Sequence, residues 1–252
     1  MHKTQRLPLS YIERDYRNRI STNGLISTSV NIAQTDLQIL ANQDLTKTAT
    51  HLIIKYRSQL ENHISANPLF LTSLEPLPCD RLAPPIVKEM LKAADKAGVG
   101  PMAAVAGAIS GFVGRDLLAD TECPEIIVEN GGDIYIKRQR NCCASIFAGT
   151  SKLSNRIGIR IIKEQMPLGI CTSSGTVGHS LSLGQADSVT VLAADISLAD
   201  AAATRIGNEI KKAGDIGQGL DLGKSIQGLT GIVIVMNENL GAWGDIEIVQ
   251  LS

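Results

Sequence analysis

Four short segments carry residue types that do chemistry. The first is Glu129-Asn130-Gly131-Gly132-Asp133. Gly131 and Gly132 let the backbone bend or let a ligand come close, and Glu129 and Asp133 offer carboxylates to a metal or a ribose hydroxyl. A β-bulge with solvated acids fits the same residues and is favoured on this segment alone. The second is the run from Cys171 to Ser180, with Thr172, Ser173, Ser174, Gly175, Thr176 and His179. Hydroxyls and open backbone N–H groups in a glycine-containing loop can wrap a phosphate. His179 adds a charge-assisted donor or an acid–base group. An ordinary polar turn with a surface histidine is the plainer alternative, and the run is not a Walker loop.

The third segment is Asp200-Ala201-Ala202-Ala203-Thr204. Residues four apart share one helical face, so Asp200 and Thr204 form a partial oxygen shell for Mg²⁺. Ser197 and Asp200 also spell the S-x-x-D pattern that caps a helix, and Thr204 can bond a carbonyl one turn back. From spacing alone the capping account is the stronger. The fourth, Gly98-Val99-Gly100-Pro101-Met102-Ala103, joins two helices, with Pro101 at an early helical position.

These segments need elements to hold them. Residues 10–20 and 29–41 alternate as a hairpin around Thr22-Asn23-Gly24. Apolar spacing predicts a helix over 44–66 with Asp44 as N-cap. The Pro-rich stretch 67–84 is the candidate connection if the single domain is subdivided. Helices follow over 84–97, stopping at Gly98, and over 102–119, the latter apolar all round and so buried. Strands are predicted at 125–137, 144–149, 156–163 and 188–194. A helix over 197–213 precedes a Gly-rich loop to Gly228, and 230–236 with 245–251 close the chain as a hairpin. Helices interleaved with antiparallel hairpins give an α+β class.

Composition narrows the function. The chain has 252 residues, 44% hydrophobic and 19% charged, with a net charge of -1, enough for one large core and without the basic surplus that nucleic acid demands. The clustered Arg14, Arg17 and Arg19 are interrupted by Asp15 and read as a solvated strand face. Five cysteines without C-x-x-C spacing read as reduced thiols, with Cys142 and Cys143 on opposite strand faces. No apolar signal region and no run of about 18 apolar residues occurs. The expectation is a cytoplasmic protein without a membrane span.

In order, Gly131-Gly132-Asp133-Ile134, the Thr172–Gly175 run, His179, the Val189–Ala194 strand and Asp200–Thr204 resemble the ApbE family, the FAD:protein FMN transferases. The resemblance covers residues 98–210. It extends over most of the chain for an uncharacterised branch of that superfamily, through Gly98 to Gly107, Val128 to Asp133, Cys171 to Ser182, Arg14-Asp15-Tyr16-Arg17 and Asp36. It implies a T-fold-like α+β architecture of mixed or antiparallel sheets, built as a duplication. It further implies Mg²⁺ held by Asp200 and Thr204, FAD or FMN beside the glycine and hydroxyl segments, and transfer of FMN from FAD to a Ser or Thr of an acceptor protein with release of AMP. A homo-oligomer is compatible with it. Two family elements are absent: Ala104-Val105-Ala106-Gly107 lacks the transferase lysine, and His179 is followed by Ser180-Leu181-Ser182 rather than a D-P-x-T-G run. Two readings stay open, a Mg²⁺-dependent flavin transferase or pyrophosphohydrolase and a non-catalytic flavin- or nucleotide-binding protein. A purely structural protein is the third, opposed by the retained chemical residues.

Overall fold

The computed structural model describes residues 24–175 and 183–251; the expectations for residues 10–20, Thr176 and His179 lie outside them. The architecture is α+β in three layers. An eight-stranded sheet runs in the order β1 (Ile26–Ile32), β2 (Thr35–Ala41), β3 (Ile126–Asn130), β4 (Asp133–Lys137), β7 (Leu168–Ser173), β8 (Ser188–Ala193), β9 (Leu229–Met236) and β10 (Asn239–Gly244). A three-stranded sheet joins β5 (Cys142–Ser145), β6 (Ile157–Ile161) and β11 (Glu247–Gln250). All these pairings are antiparallel.

Among the described residues six helices lie on one side of the large sheet, α1 (Thr46–Ala66), α2 (Leu69–Thr72), α3 (Pro85–Ala97), α4 (Val105–Asp120), α5 (Ile196–Glu209) and α6 (Ile216–Ser225), with α2 and α3 packed on the other helices. Strand alternation supplies two apolar faces. Leu37, Ile39, Val128, Val191, Ile232 and Ile234 meet the helices in the main core. Ile136, Leu168, Ile170, Leu192, Val233 and Val235 point the other way, onto Ile159 and Ile161 of the small sheet and Ile146 just after β5.

Several elements match their sequence signals. Gly98 ends α3 in the left-handed conformation at φ 72° and returns its N–H to Ala94 O, as a C-terminal glycine should. Asp44 accepts the Thr46 amide at 2.8 Å at the start of α1, although Leu45 occupies the N-cap position. With the short 3-10 turn before it, α4 forms an apolar stretch, Pro101–Asp120, of mean hydropathy 1.3. It is long and apolar enough to cross a membrane by length and composition, yet half of it is buried inside the fold, with Ala108, Val113 and Leu117 fully enclosed. Such a helix is apolar all round because it is a core element.

Other expectations are corrected. The strand read over 29–41 is broken by a turn at Ala33-Gln34, so β1 and β2 form their own hairpin. The Gly-rich loop before Gly228 contains α6, whose glycines seat it on the sheet: a Cβ at Gly223 would lie 2.1 Å from Ile232 Cδ1. The terminal segment 245–251 does not form a ladder with β9, although the Asp245 amide reaches Thr230 O at 3.1 Å. β10 does, and β11 crosses to β6 in the small sheet. The strand β7 was hidden because its second half, Cys171-Thr172-Ser173, has the composition of a loop.

Candidate functional site

The Gly131-Gly132 segment is a two-residue hairpin turn, not a bulge. Asn130 pairs directly with Asp133 across it, and both glycines take positive φ, 68° and 107°. Two consecutive positive φ values are what a tight turn matched to strand twist requires. Glu129 closes the turn by accepting the Gly132 amide on Oε1 at 2.8 Å. Register places Asn130 and Asp133 on the helix-facing side of the sheet, in line with Val128 and Tyr135 of the main core.

Above that tip lies the start of α4. Asn130 Nδ2 donates to Ala106 O at 3.1 Å. The Gly107 amide donates to Asp200 Oδ2 at 2.8 Å. Asp200 belongs to α5, so it caps a neighbouring helix rather than its own. The cap of α5 is Asp195, which accepts from Leu198 N at 3.2 Å, while Ser197 donates to Glu89. The capping pattern at Ser197 and Asp200 therefore pointed to the wrong helix. Gly107 makes the arrangement fit, because a Cβ there would lie 2.8 Å from both Asp200 Cβ and Ile196 O.

Two carboxylates converge here. Burial pushes the Asp200 pKa well above the usual carboxylate range, the charge of Asp133 raises it further, and the Gly107 amide opposes the rise. Cys171 of β7 sits beside them. Burial first, then the charges of Asp133 and Asp200, hold its thiol far above its ordinary pKa, and Sγ lies 3.5 Å from Ile196 O. A thiol so placed stays protonated and is no thiolate nucleophile.

Thr204 and Gly207 follow Asp200 on α5 at four and seven residues, the spacing of one helical face. At Gly207 this face meets Ser173: a Cβ on Gly207 would lie 3.4 Å from Ser173 Oγ. The described ends of the hydroxyl-rich loop stack there too. A Cβ on Gly175 would meet Gly184 O at 2.3 Å, and one on Gly184 would meet Gly207 O at 1.8 Å. The structure thus brings the β3–β4 turn, Asp133, Ser173, Gly175, Asp200 and Thr204 to one side of the sheet along α5. Thr172 alternates to the opposite face, where its Oγ1 lies 3.0 Å from Thr190 Oγ1. Ser174 follows directly after β7. Sequence reasoning missed Asn130 and Cys171 as site neighbours. The only signal for the second was that it shares strand parity with Ser173.

Oxygen donors dominate, and oxygens suit a hard divalent cation. Among the described residues no three His, Cys, Asp or Glu side chains cluster at metal-binding spacing, so a cation here would draw on two carboxylates, the Thr204 hydroxyl and water. A concavity of about 420 Å³ lies elsewhere, on the small sheet beside Cys143 and Arg160. Its guanidinium already pairs with Glu247 at 3.1 Å, and it is remote from the carboxylates.

A family model described as "AbpE bacteria" matches residues 17–230. A UPF0280 protein of Methanococcus maripaludis is 43% identical over 222 residues, covering 86% of this chain and 90% of the relative. A UPF0280 protein of Methanocaldococcus jannaschii is 42% identical over 205 residues, covering 79% and 82%. Among solved structures, the apo form of the Pseudomonas stutzeri flavinyl transferase ApbE superposes with a TM-score of 0.56 at 13% identity, over 87% of this chain and 93% of that one. By sequence and by fold, the chain belongs to the ApbE-like superfamily, in the family described as AbpE bacteria.

Proposed function

We propose that the protein binds a flavin nucleotide, FAD or FMN, through Mg²⁺ held by Asp200 and Thr204 with Asp133 beside them, and that it cleaves the FAD pyrophosphate or passes FMN to an acceptor protein. The observation that carries this reading is the approach of buried Asp133 to half-buried Asp200, whose carboxylate the Gly107 amide holds at 2.8 Å. Two carboxylates there repel each other and are stabilised together by a cation. When bound, such a cation neutralises charge building up on a pyrophosphate.

The residues divide the remaining work. The Gly107 amide fixes the Asp200 carboxylate. Gly131 and Gly132 carry no side chain at the hairpin tip and leave room for close approach of a ligand. Ser173 and Gly175 present a hydroxyl and backbone to phosphate oxygens. His179 stays the candidate acid–base group and Thr176 a candidate phosphate contact. The likeness to a flavinyl transferase supports the flavin, and the order of motifs supports the cation.

A second reading, a flavin- or nucleotide-binding protein without turnover, is favoured by one observation. The α4 entry has no lysine, and two guanidiniums on the helices that build the site are already paired, Arg115 with Glu89 at 3.0 Å and Arg205 with Glu209. Incubation of the purified chain with FAD and MgCl₂, followed by chromatography for AMP, separates the two. The first reading expects AMP release that disappears in Asp200→Asn. Tight FAD binding without AMP supports the second. Absence of binding to FAD, FMN, ADP and Mg²⁺ rejects both.

A further inference from the structure

Asn130 is 6% exposed and lies directly across the hairpin from Asp133. Its amide reaches Ala106 O at 3.1 Å. The N–H of the same peptide unit, that of Gly107, donates to Asp200 Oδ2 at 2.8 Å. One continuous chain of bonds therefore runs from the β3–β4 tip through the first turn of α4 to the carboxylate on α5. At the other end, the Glu129 bond to the Gly132 amide holds the two-residue turn that carries Asp133.

The Asn130 bond is surplus to the needs of the helix. An α-helical carbonyl at position 106 already accepts from the N–H at position 110, and its second lone pair needs no partner. A buried amide spent on a satisfied carbonyl points to placement rather than to satisfaction of the ladder. What it places is α4, and with it Asp200, relative to the tip that bears Asp133.

We infer that Asn130 is a positioning residue that fixes the spacing between Asp133 and Asp200, and so makes the site discriminate in favour of a small divalent cation, Mg²⁺, over Ca²⁺. This rests on the cation site proposed above. Mg²⁺ demands short oxygen distances and near-ideal octahedral geometry, whereas Ca²⁺ accepts longer and looser shells. A tether that holds two carboxylates at one spacing serves the first ion; loosening it lets the pair open and serves the second. Outer partners of metal ligands typically change metal affinity by roughly 10- to 100-fold when removed.

The test is calorimetric titration of the full chain with MgCl₂ and, separately, CaCl₂, for the wild type, Asn130→Ala and Asn130→Ser. Thermal melts alongside report folding, and the serine variant, whose hydroxyl falls short of Ala106 O, is read if the alanine variant does not fold. The expected result is a fall of about tenfold in Mg²⁺ affinity with a change of less than about threefold for Ca²⁺. Equal losses for both ions, or no loss for either, would overturn the positioning role while leaving the cation site standing. A wild-type chain that takes up neither ion removes the site itself, and this inference with it.

Discussion

At the scale of the residue, two half-buried acids behave in opposite ways. Asp200 is disfavoured as an anion by burial and by Asp133. Glu125 is pushed up by burial, but the hydrogen bond from Arg138, the Gln139 amide and the charges of Arg138 and Arg140 outweigh that and hold its pKa below the ordinary value. The Glu125–Arg138 pair meets at 2.9 Å with side-chain exposures of 12% and 2%, and Arg138 Nη2 has no hydrogen-bond partner. Because the folded pKa is depressed, the unfolded chain binds the proton more readily. The contribution is therefore fully present above the unfolded value near 4.5 and is lost as pH falls through the folded value. Glu125→Ala should cost about 3–5 kcal/mol in urea denaturation at pH 7, since it strands a buried guanidinium. The gap from wild type should narrow below about pH 4; a gap that widens on acidification would contradict the assignment.

At the scale of the element, small residues decide how closely helices approach. α4 turns Gly107 to Asp200, Gly111 to Ile196 and Gly114 to Tyr135, each a place where a Cβ would come within 3 Å of a neighbour. Gly107→Ala should destabilise the chain by about 1–3 kcal/mol, because the clash involves a carbonyl and a Cβ rather than a mobile side-chain end. It should also weaken Mg²⁺ uptake by shifting Asp200. Gly217→Ala in α6 provides the contrast. A Cβ there meets nothing within 4 Å, so the substitution should stabilise by about 0.5–1 kcal/mol through helix propensity alone. Thermal melts of the two variants should move in opposite directions; a matching shift would mean that α4 has slack which these distances do not allow.

At the scale of the whole molecule, the large sheet is the partition between two cores, and the site lies only on its helical side. Ile159, 1% exposed on β6, belongs to the second core between the sheets. Ile159→Ala should cost about 2–5 kcal/mol by urea denaturation while leaving FAD and Mg²⁺ affinity unchanged under conditions where the chain is folded. Loss of ligand binding in parallel with stability would show that the two sides of the sheet are coupled.

Local rules were enough for much of this. The helical period found α1 because burial on one face repeats every turn, α4 showed as an unbroken run of small apolar residues, and Gly98 marked the end of α3 because glycine takes that backbone angle without strain. The order of the Gly-Gly-Asp, Thr-Ser-Ser-Gly and Asp-Ala-Ala-Ala-Thr segments was enough to identify the superfamily. Local rules failed where composition and packing disagree: β7 ends in residues typical of loops, α6 carries glycines typical of turns, and β11 joins a strand about ninety residues away. Which helix Asp200 caps, that Asp133 opposes it, and that Asn130 ties their supports together were decided by tertiary structure alone. Hydrogen bonds and charge repulsion depend on distance through space, and residues 130, 106 and 200 lie far apart along the chain.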